Sequence, residues 1–233
     1  MDKLTLLSQI NIFEELPMQE LELIDAMSDM QPFPRGQTIF SPEKPIPALF
    51  LLKQGQVRLY RLNSQGREFT VDILTDGNIF GETSSVVLTD DTVTAETMTD
   101  TYVCIISREQ FEKLIEQNPS IAMKLIDVLS ARLSDVYKLG ETLALQDVRH
   151  RLLYLLYHLS CKNGRRVNEW QTIDFKLTHQ DLANMIGSTR ETTSAAMSRL
   201  TKEGLVKKER NLFGREKALL IDADQIKEQL DSC

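Results

Sequence analysis

The stretch "GSTRETTSAAMSRL", residues 187–200, sets a guanidinium and a carboxylate side by side at Arg190 and Glu191 and follows them with hydroxyls. These groups suit the edges of base pairs. An arginine donates two hydrogen bonds to O6 and N7 of guanine, and a glutamate accepts one from N4 of cytosine. Adjacent, they match G·C pairs in neighbouring steps. Ser194 lies one helical turn on and shares their face. Ala196, Met197 and Leu200 gather on another side. The stretch therefore reads as a helix with a packed back and a hydrogen-bonding front that includes Thr192, Thr193 and Ser194. Thr189, Thr192 and Ser198 bring hydroxyls suited to phosphate or to supporting roles, and Lys202, Lys207, Lys208 and Arg210 bring sequence-blind attraction to phosphate. A plainer reading competes. From Ser188, "STRE" also fits a capping box, in which Glu191 only closes the helix end.

Such a front needs a scaffold. A helix over about 179–186 would bury Leu182, Ala183 and Ile186, and Ala183 is small enough for a close helix crossing. Gly187 permits a sharp turn, and Ser188 or Thr189 can cap the helix that follows. Beyond Gly204, "LVKKERNLFGREKALLI" reads as two strands about a turn. Together these make a winged helix-turn-helix, whose second helix enters the DNA major groove by its N-terminal end. The charge distribution agrees. The chain carries −7 overall, but residues 1–146 hold 12 Lys and Arg against 22 Asp and Glu, whereas residues 147–233 hold 15 against 12. Only the second part tolerates a polyanion.

The preceding residues have another character. After a helical pattern over about 18–29, residues 33–106 show short apolar or alternating runs: "QTIF", "ALFLLKQGQVRLYRL", "EFTVDIL", "NIFGE", "TVTAETM" and "TYVCIIS". Turn residues separate them, and "RLNSQGREF" has the form of a hairpin. An antiparallel β-sandwich or roll is expected. A short helix "REQFEKLIEQ" ends at Asn118-Pro119, and a long one follows. On it Ala122, Ile126, Leu129, Leu133, Val136, Gly140 and Leu143 alternate steps of three and four, a heptad seam. Pairing with a second copy is favoured over packing on its own domain, because the seam is long and narrow. Asp147 can cap the next helix, which ends at Gly164.

In this order the segments resemble the bacterial cyclic AMP receptor protein/FNR family of transcription regulators. The likeness covers nearly all residues: strands with "GNIFGE", a long helix after "NPS", the "LQDV" hinge, and "LTHQDLANMIGSTRETTSAAMSRLTKEGLV", its most specific part. It implies an α+β fold with an N-terminal antiparallel β-roll sensor domain (1–118) of the cyclic-nucleotide-binding jelly-roll type. A dimerisation helix and hinge (119–146) and a C-terminal winged helix-turn-helix (147–233) follow. It also implies a cytoplasmic homodimer on a two-fold symmetric double-stranded DNA site, in contact with RNA polymerase; the basic loop "CKNGRR" at 161–166 is suited to that contact and reads equally well as a plain solvated loop. By residue match, Arg190 and Glu191 occupy base-reading positions, Ser194 a reader position of the FNR branch, and Thr178, His179 and Gln180 positions that meet phosphates. Ala195 stands where the cyclic-AMP branch has a further base-contacting arginine.

The same match defines a candidate effector pocket of Gly81, Glu82 and Thr83, with Asp91 and Thr92 facing them and Val136 and Tyr137 on the long helix. Gly81 and Glu82 match the residues around a cyclic nucleotide's ribose. Its phosphate requires a cation, normally an arginine followed by Ser or Thr, and Asp91-Thr92 stand there instead. A carboxylate facing a phosphate is repulsive, so cyclic AMP is not the expected effector. Tyr137 is placed to fill the adenine's space itself. An iron–sulfur cluster normally takes four thiolates, and the chain has three scattered cysteines, Cys104, Cys161 and Cys233. His150 and His158 lie near Arg149 and Arg151 on an amphipathic helix, where a surface or hinge role is favoured over haem ligation. Cys161, beside Lys162, is the candidate redox thiol, with an ordinary loop cysteine the favoured alternative. No cofactor and no metal site is expected. The cysteine count argues against a disulfide framework, and no run approaches the roughly 20 apolar residues of a membrane span. Nucleophile, phosphate-loop and metal-ligand patterns are missing, so an enzyme is not expected. Two rivals remain: a small-molecule-binding module that regulates a partner protein, and a regulator that does bind a cyclic nucleotide.

Overall fold

The computed structural model describes residue 13 and residues 17–83, 86–173, 177–210 and 216–231. The chain divides into two units, Met1–Asp135 and Val136–Cys233.

In the first unit, helix α1 (Met18–Met27) leads into eight strands. These are β1 (Asp29–Phe33), β2 (Thr38–Phe40), β3 (Ala48–Gln54), β4 (Val57–Leu62), β5 (Glu68–Leu74), β6 (Ile79–Gly81), β7 (Thr94–Thr97) and β8 (Thr101–Ser107). They form two antiparallel four-stranded sheets, ordered β1-β8-β3-β6 and β2-β7-β4-β5. The unbroken apolar run of β3 has a physical reason. Successive side chains leave opposite faces of a strand, and both faces of β3 are covered. Phe50 and Leu52 enter a core shared with Phe40, Val57, Leu74 and Phe80. Leu49 and Leu51 enter a second core with Leu21, Ile24, Phe111, Leu114, Ile121 and Leu125. The rings of Phe40, Phe50 and Phe80 cluster, with centroids 5.2–6.0 Å apart. The expected hairpin joins β4 to β5, its turn closed by Asn63 Oδ1, which accepts from the N–H groups of Gln65 and Arg67 at 2.9 Å.

Helix α2 (Arg108–Gln117) opens with a capping box between Ser107 and Gln110. Helix α3 (Pro119–Leu145) starts on a proline, whose missing N–H costs nothing in the first turn. One expectation needs correction here. The helical pattern read as far as residue 29 ends at Met27. The chain then forms β1, an edge strand that accommodates Pro32 and pairs with β8 from Asp29↔Ile105 to Phe33↔Thr101.

The second unit contains the end of α3, then α4 (Val148–Asn163), β9 (Arg166–Val167), β10 (Trp170–Ile173), α5 (His179–Ile186), α6 (Arg190–Lys202), β11 (Val206–Arg210), β12 (Glu216–Ile221) and α7 (Ala223–Asp231). Asp147 caps α4, its carboxylate accepting from the His150 N–H at 2.8 Å. Leu152, Leu153, Leu156 and Leu159 of α4 are buried, and α4 packs against α5, α6 and α7. The sheet runs β11-β12-β10-β9 and includes the expected wing hairpin. The tip of the wing, residues 211–215, lies outside the described residues, as does Cys233. Strand β9 and helix α7 carry too weak a local pattern to be expected: α7 buries Ile226 alone among its described side chains. No helix among the described residues is long and apolar enough to cross a membrane.

Candidate DNA interface and effector pocket

The interface is built from α5, a tight turn and α6. Thr178 caps α5 in a reciprocal box with Asp181: its hydroxyl accepts from the Asp181 N–H at 3.1 Å, and its own N–H donates to Asp181 Oδ2 at 2.8 Å. Leu182, Ala183, Met185 and Ile186 are buried. Gly187 takes the left-handed conformation, φ 62° and ψ 41°, and Ser188 N–H bonds back to the Ala183 carbonyl at 3.0 Å. This closes the helix end in the manner that favours glycine.

The cap of α6 is Thr189, not Ser188. Its Oγ1 accepts from the Thr192 N–H at 3.2 Å, and the two threonine hydroxyls lie 2.9 Å apart. Glu191 is therefore not the partner of a capping box, and the plainer reading of that residue falls. Arg190 and Glu191 are both exposed, and neither side chain has a hydrogen bond or ion pair among the described residues. Ser194, on the next turn of that face, is half-buried. Thr193 corrects the expected front: it is buried with Met197 and Leu200, and its hydroxyl has no hydrogen-bond partner among the described residues.

The supporting residues divide. Ala195, Ser198 and Lys202 are exposed, and the Ser198 hydroxyl donates to its own helix at the Ser194 carbonyl. Gln180 is exposed and donates to Asn184 Oδ1 at 2.7 Å, while His179 is half-buried. Lys207 and Lys208 stand exposed on β11. Lys207 Nζ sits 3.7 Å from the centre of the Trp170 ring, a cation–π contact that no local pattern announced.

In the first unit, Gly81, Glu82 and Asp91 line a shallow, open concavity together with Phe40, Pro45, Ile46, Thr89 and Asp90. Gly81 has φ +92°, and a Cβ there would stand 2.6 Å from Phe50 Cδ2 and collide with the Ala48 carbonyl. Thr83 lies buried, its hydroxyl accepting from the Val86 N–H at 3.2 Å. Thr92 turns its N–H and hydroxyl to Asp90, which also pairs with Arg61. Burial alone would raise the Asp90 pKa. The hydrogen bonds from Thr92 and the charge of Arg61 outweigh it and hold the carboxyl below its ordinary range.

Val136 and Tyr137 are 63% and 70% exposed. Ile126, Leu129, Leu133 and Val136 form an exposed apolar stripe, with Leu143 half-buried. Arg132, absent from the sequence reading, points elsewhere. Nη2 donates to the Ile79 carbonyl at 2.5 Å, and Nη1 reaches that of Leu88 at 3.5 Å. Burial lowers its pKa against the opposing pull of Asp72. Flanked by seam residues, it reads locally as one more solvated charge.

Of the cysteines, Cys104 is buried and Cys161 exposed. His158 stacks on Tyr154. No group of three or more His, Cys, Asp or Glu among the described residues is arranged to hold a metal ion.

Known proteins match this arrangement along the chain. A cyclic nucleotide-binding domain model matches residues 30–118, and a Crp-like helix-turn-helix domain model matches residues 150–225. The chain is 32% identical to the global nitrogen regulator of Synechococcus elongatus over 201 residues, which is 85% of this chain and 88% of that protein. It is 29% identical to the cyclic AMP receptor protein of Thermus thermophilus, across 84% and 88% of the two chains. Its fold matches a CooA variant from Carboxydothermus hydrogenoformans with a TM-score of 0.72 at 25% identity, covering 90% of each chain. The chain therefore belongs to the cyclic AMP receptor protein/FNR family: it is a DNA-binding transcription regulator, not an enzyme.

Proposed function

We propose that two copies of the chain pair along α3 in the cytoplasm, read a two-fold symmetric DNA site, and contact RNA polymerase. The observation that carries the reading is the first turn of α6. Arg190 and Glu191 are exposed, unpartnered among the described residues and released from capping. Two such helices read successive major grooves about 34 Å apart. The exposed stripe on α3 supports the pairing, because a lone helix gains nothing by showing leucines to water. The RNA polymerase contact falls to the stretch after α4, where Arg165 and the first residue of β9, Arg166, are exposed; residues 161–163 of the expected loop belong to α4.

The effector is not cyclic AMP. Glu82, Asp90 and Asp91 all face the concavity, and the nearby Arg61 is already engaged by Asp90. A phosphate placed there meets carboxylates. The Thermus relative is named for cyclic AMP; this chain departs from cyclic-AMP binders where the phosphate cation belongs.

A site selected from a random duplex library tests the reading. Arg190→Ala should weaken binding to that site by about 1–3 kcal/mol and relax preference at one G·C pair. An equal loss on every duplex refutes base reading. Calorimetric titration with cyclic AMP should give no saturable heat, and micromolar binding refutes the charge argument.

A further inference from the structure

Resting on the DNA-reading assignment above and deepening it, we propose that Arg151 is the positioning residue that fastens the helix-turn-helix to the end of α3. Arg151 is the fourth residue of α4 and half-buried. Its Nε donates to the Gln146 carbonyl at 2.9 Å, and Nη1 reaches the Ile186 carbonyl at 3.4 Å. The two carbonyls mark mechanical points. Gln146 follows the last residue of α3, its N–H still bonded to the Thr142 carbonyl at 3.1 Å. Ile186 ends α5, directly before the left-handed Gly187 that aims α6. The last carbonyls of a helix lack intrahelical partners and attract cations. One planar guanidinium can serve two such oxygens at once, which an ammonium on a flexible stem does poorly.

Arg149 provides a parallel fastening. Its Nη2 donates to Glu203 Oε2 at 2.7 Å and to Gln229 Oε1 at 2.8 Å, and Glu203 is the C-cap residue of α6. The turn that precedes the recognition helix and the residue that ends it are thus both tied to the start of α4. A rotation at the α3–α4 break then reaches Arg190 and Glu191 without being absorbed in the turn. The Arg149 ion pair is about 40% exposed on each side and correspondingly weak. The carbonyl contacts of Arg151 are part-buried and carry the inference.

The test uses the full chain, a duplex selected from a random library and an unrelated duplex, with anisotropy titrations between 50 and 200 mM salt. Arg151→Ala should weaken the selected duplex by roughly tenfold or more. It should leave the unrelated duplex and the salt slope unchanged, and speed amide exchange at Ser188. Arg151→Lys, which keeps the charge and the fold but not the fork, should stay impaired. A phosphate contact would behave otherwise: the alanine variant would lose about one unit of salt slope and lysine would restore it. That pattern, or full affinity in both variants, overturns the anchor alone. A wild-type chain that prefers no duplex overturns the base reading on which the anchor rests.

Discussion

Replacing Leu133 by alanine should split the dimer while each protomer stays folded. Leu133 is 52% exposed in the single chain, so about half of its side chain waits to be covered. Complete burial of a leucine is worth about 1.5–3 kcal/mol, and covering the remaining half contributes about 1 kcal/mol. A two-fold pairing counts the residue twice, so the loss is about 2 kcal/mol per dimer, or roughly thirtyfold in the dimer dissociation constant. Leu133→Asp goes further, since each protomer then brings an anion to the apolar seam of the other. Sedimentation velocity across a dilution series reads the association, and thermal melts read the protomer. Affinity for the selected duplex should fall with the dimer fraction. An aspartate variant that self-associates and binds DNA like the wild type refutes the seam. A variant that loses association only because its β-roll has unfolded would show that Leu133 serves its own domain instead.

Gly81→Ala should destabilise the first unit by about 3 kcal/mol or more, measured as a fall in its unfolding midpoint, because positive φ, the Phe50 ring and the Ala48 backbone all oppose a methyl group there. Thr193→Val should raise the stability of the second unit by about 1 kcal/mol without altering the selected DNA site, since it removes a buried hydroxyl that has no partner. A destabilised valine variant would mean that the hydroxyl is bonded in solution. Asp90 has a folded pKa below its unfolded value near 3.8. Its contribution is therefore complete above that value and lost as pH falls through the lower, folded pKa. Asp90→Asn should flatten this part of the acid unfolding curve, and an unchanged acid limb would refute it.

Much of the architecture was legible because it is written in neighbouring residues. The bounds of α5 follow from a threonine cap, a 3.6-residue apolar pattern and a glycine stop, and all three are local. The long seam of α3 and the β4–β5 hairpin are legible for the same reason. The effector pocket was less so. Asp91 could be placed opposite Gly81 and Glu82 by match, but the pairing of Arg61 with Asp90 joins residues 29 positions apart. Arg132 shows the same limit, since its partners at Ile79 and Leu88 lie more than forty positions back along the chain.

The sequence by itself determined most of the helices and strands, among them α5, α6 and the β4–β5 hairpin, which residue types stand at the tip of α6, and which part of the chain can face a polyanion. Periodicity, caps and charge act over a few residues and need no knowledge of the rest. Only the tertiary structure decided that Thr193 turns inward, that Thr189 takes the cap and frees Glu191, and that Lys207 rests on Trp170. It also decided that Arg151 spans the end of α3 and the turn before α6. Each of these depends on the phase of an element against a neighbour brought from elsewhere in the chain, where a rotation of some tens of degrees exchanges a buried side chain for an exposed one.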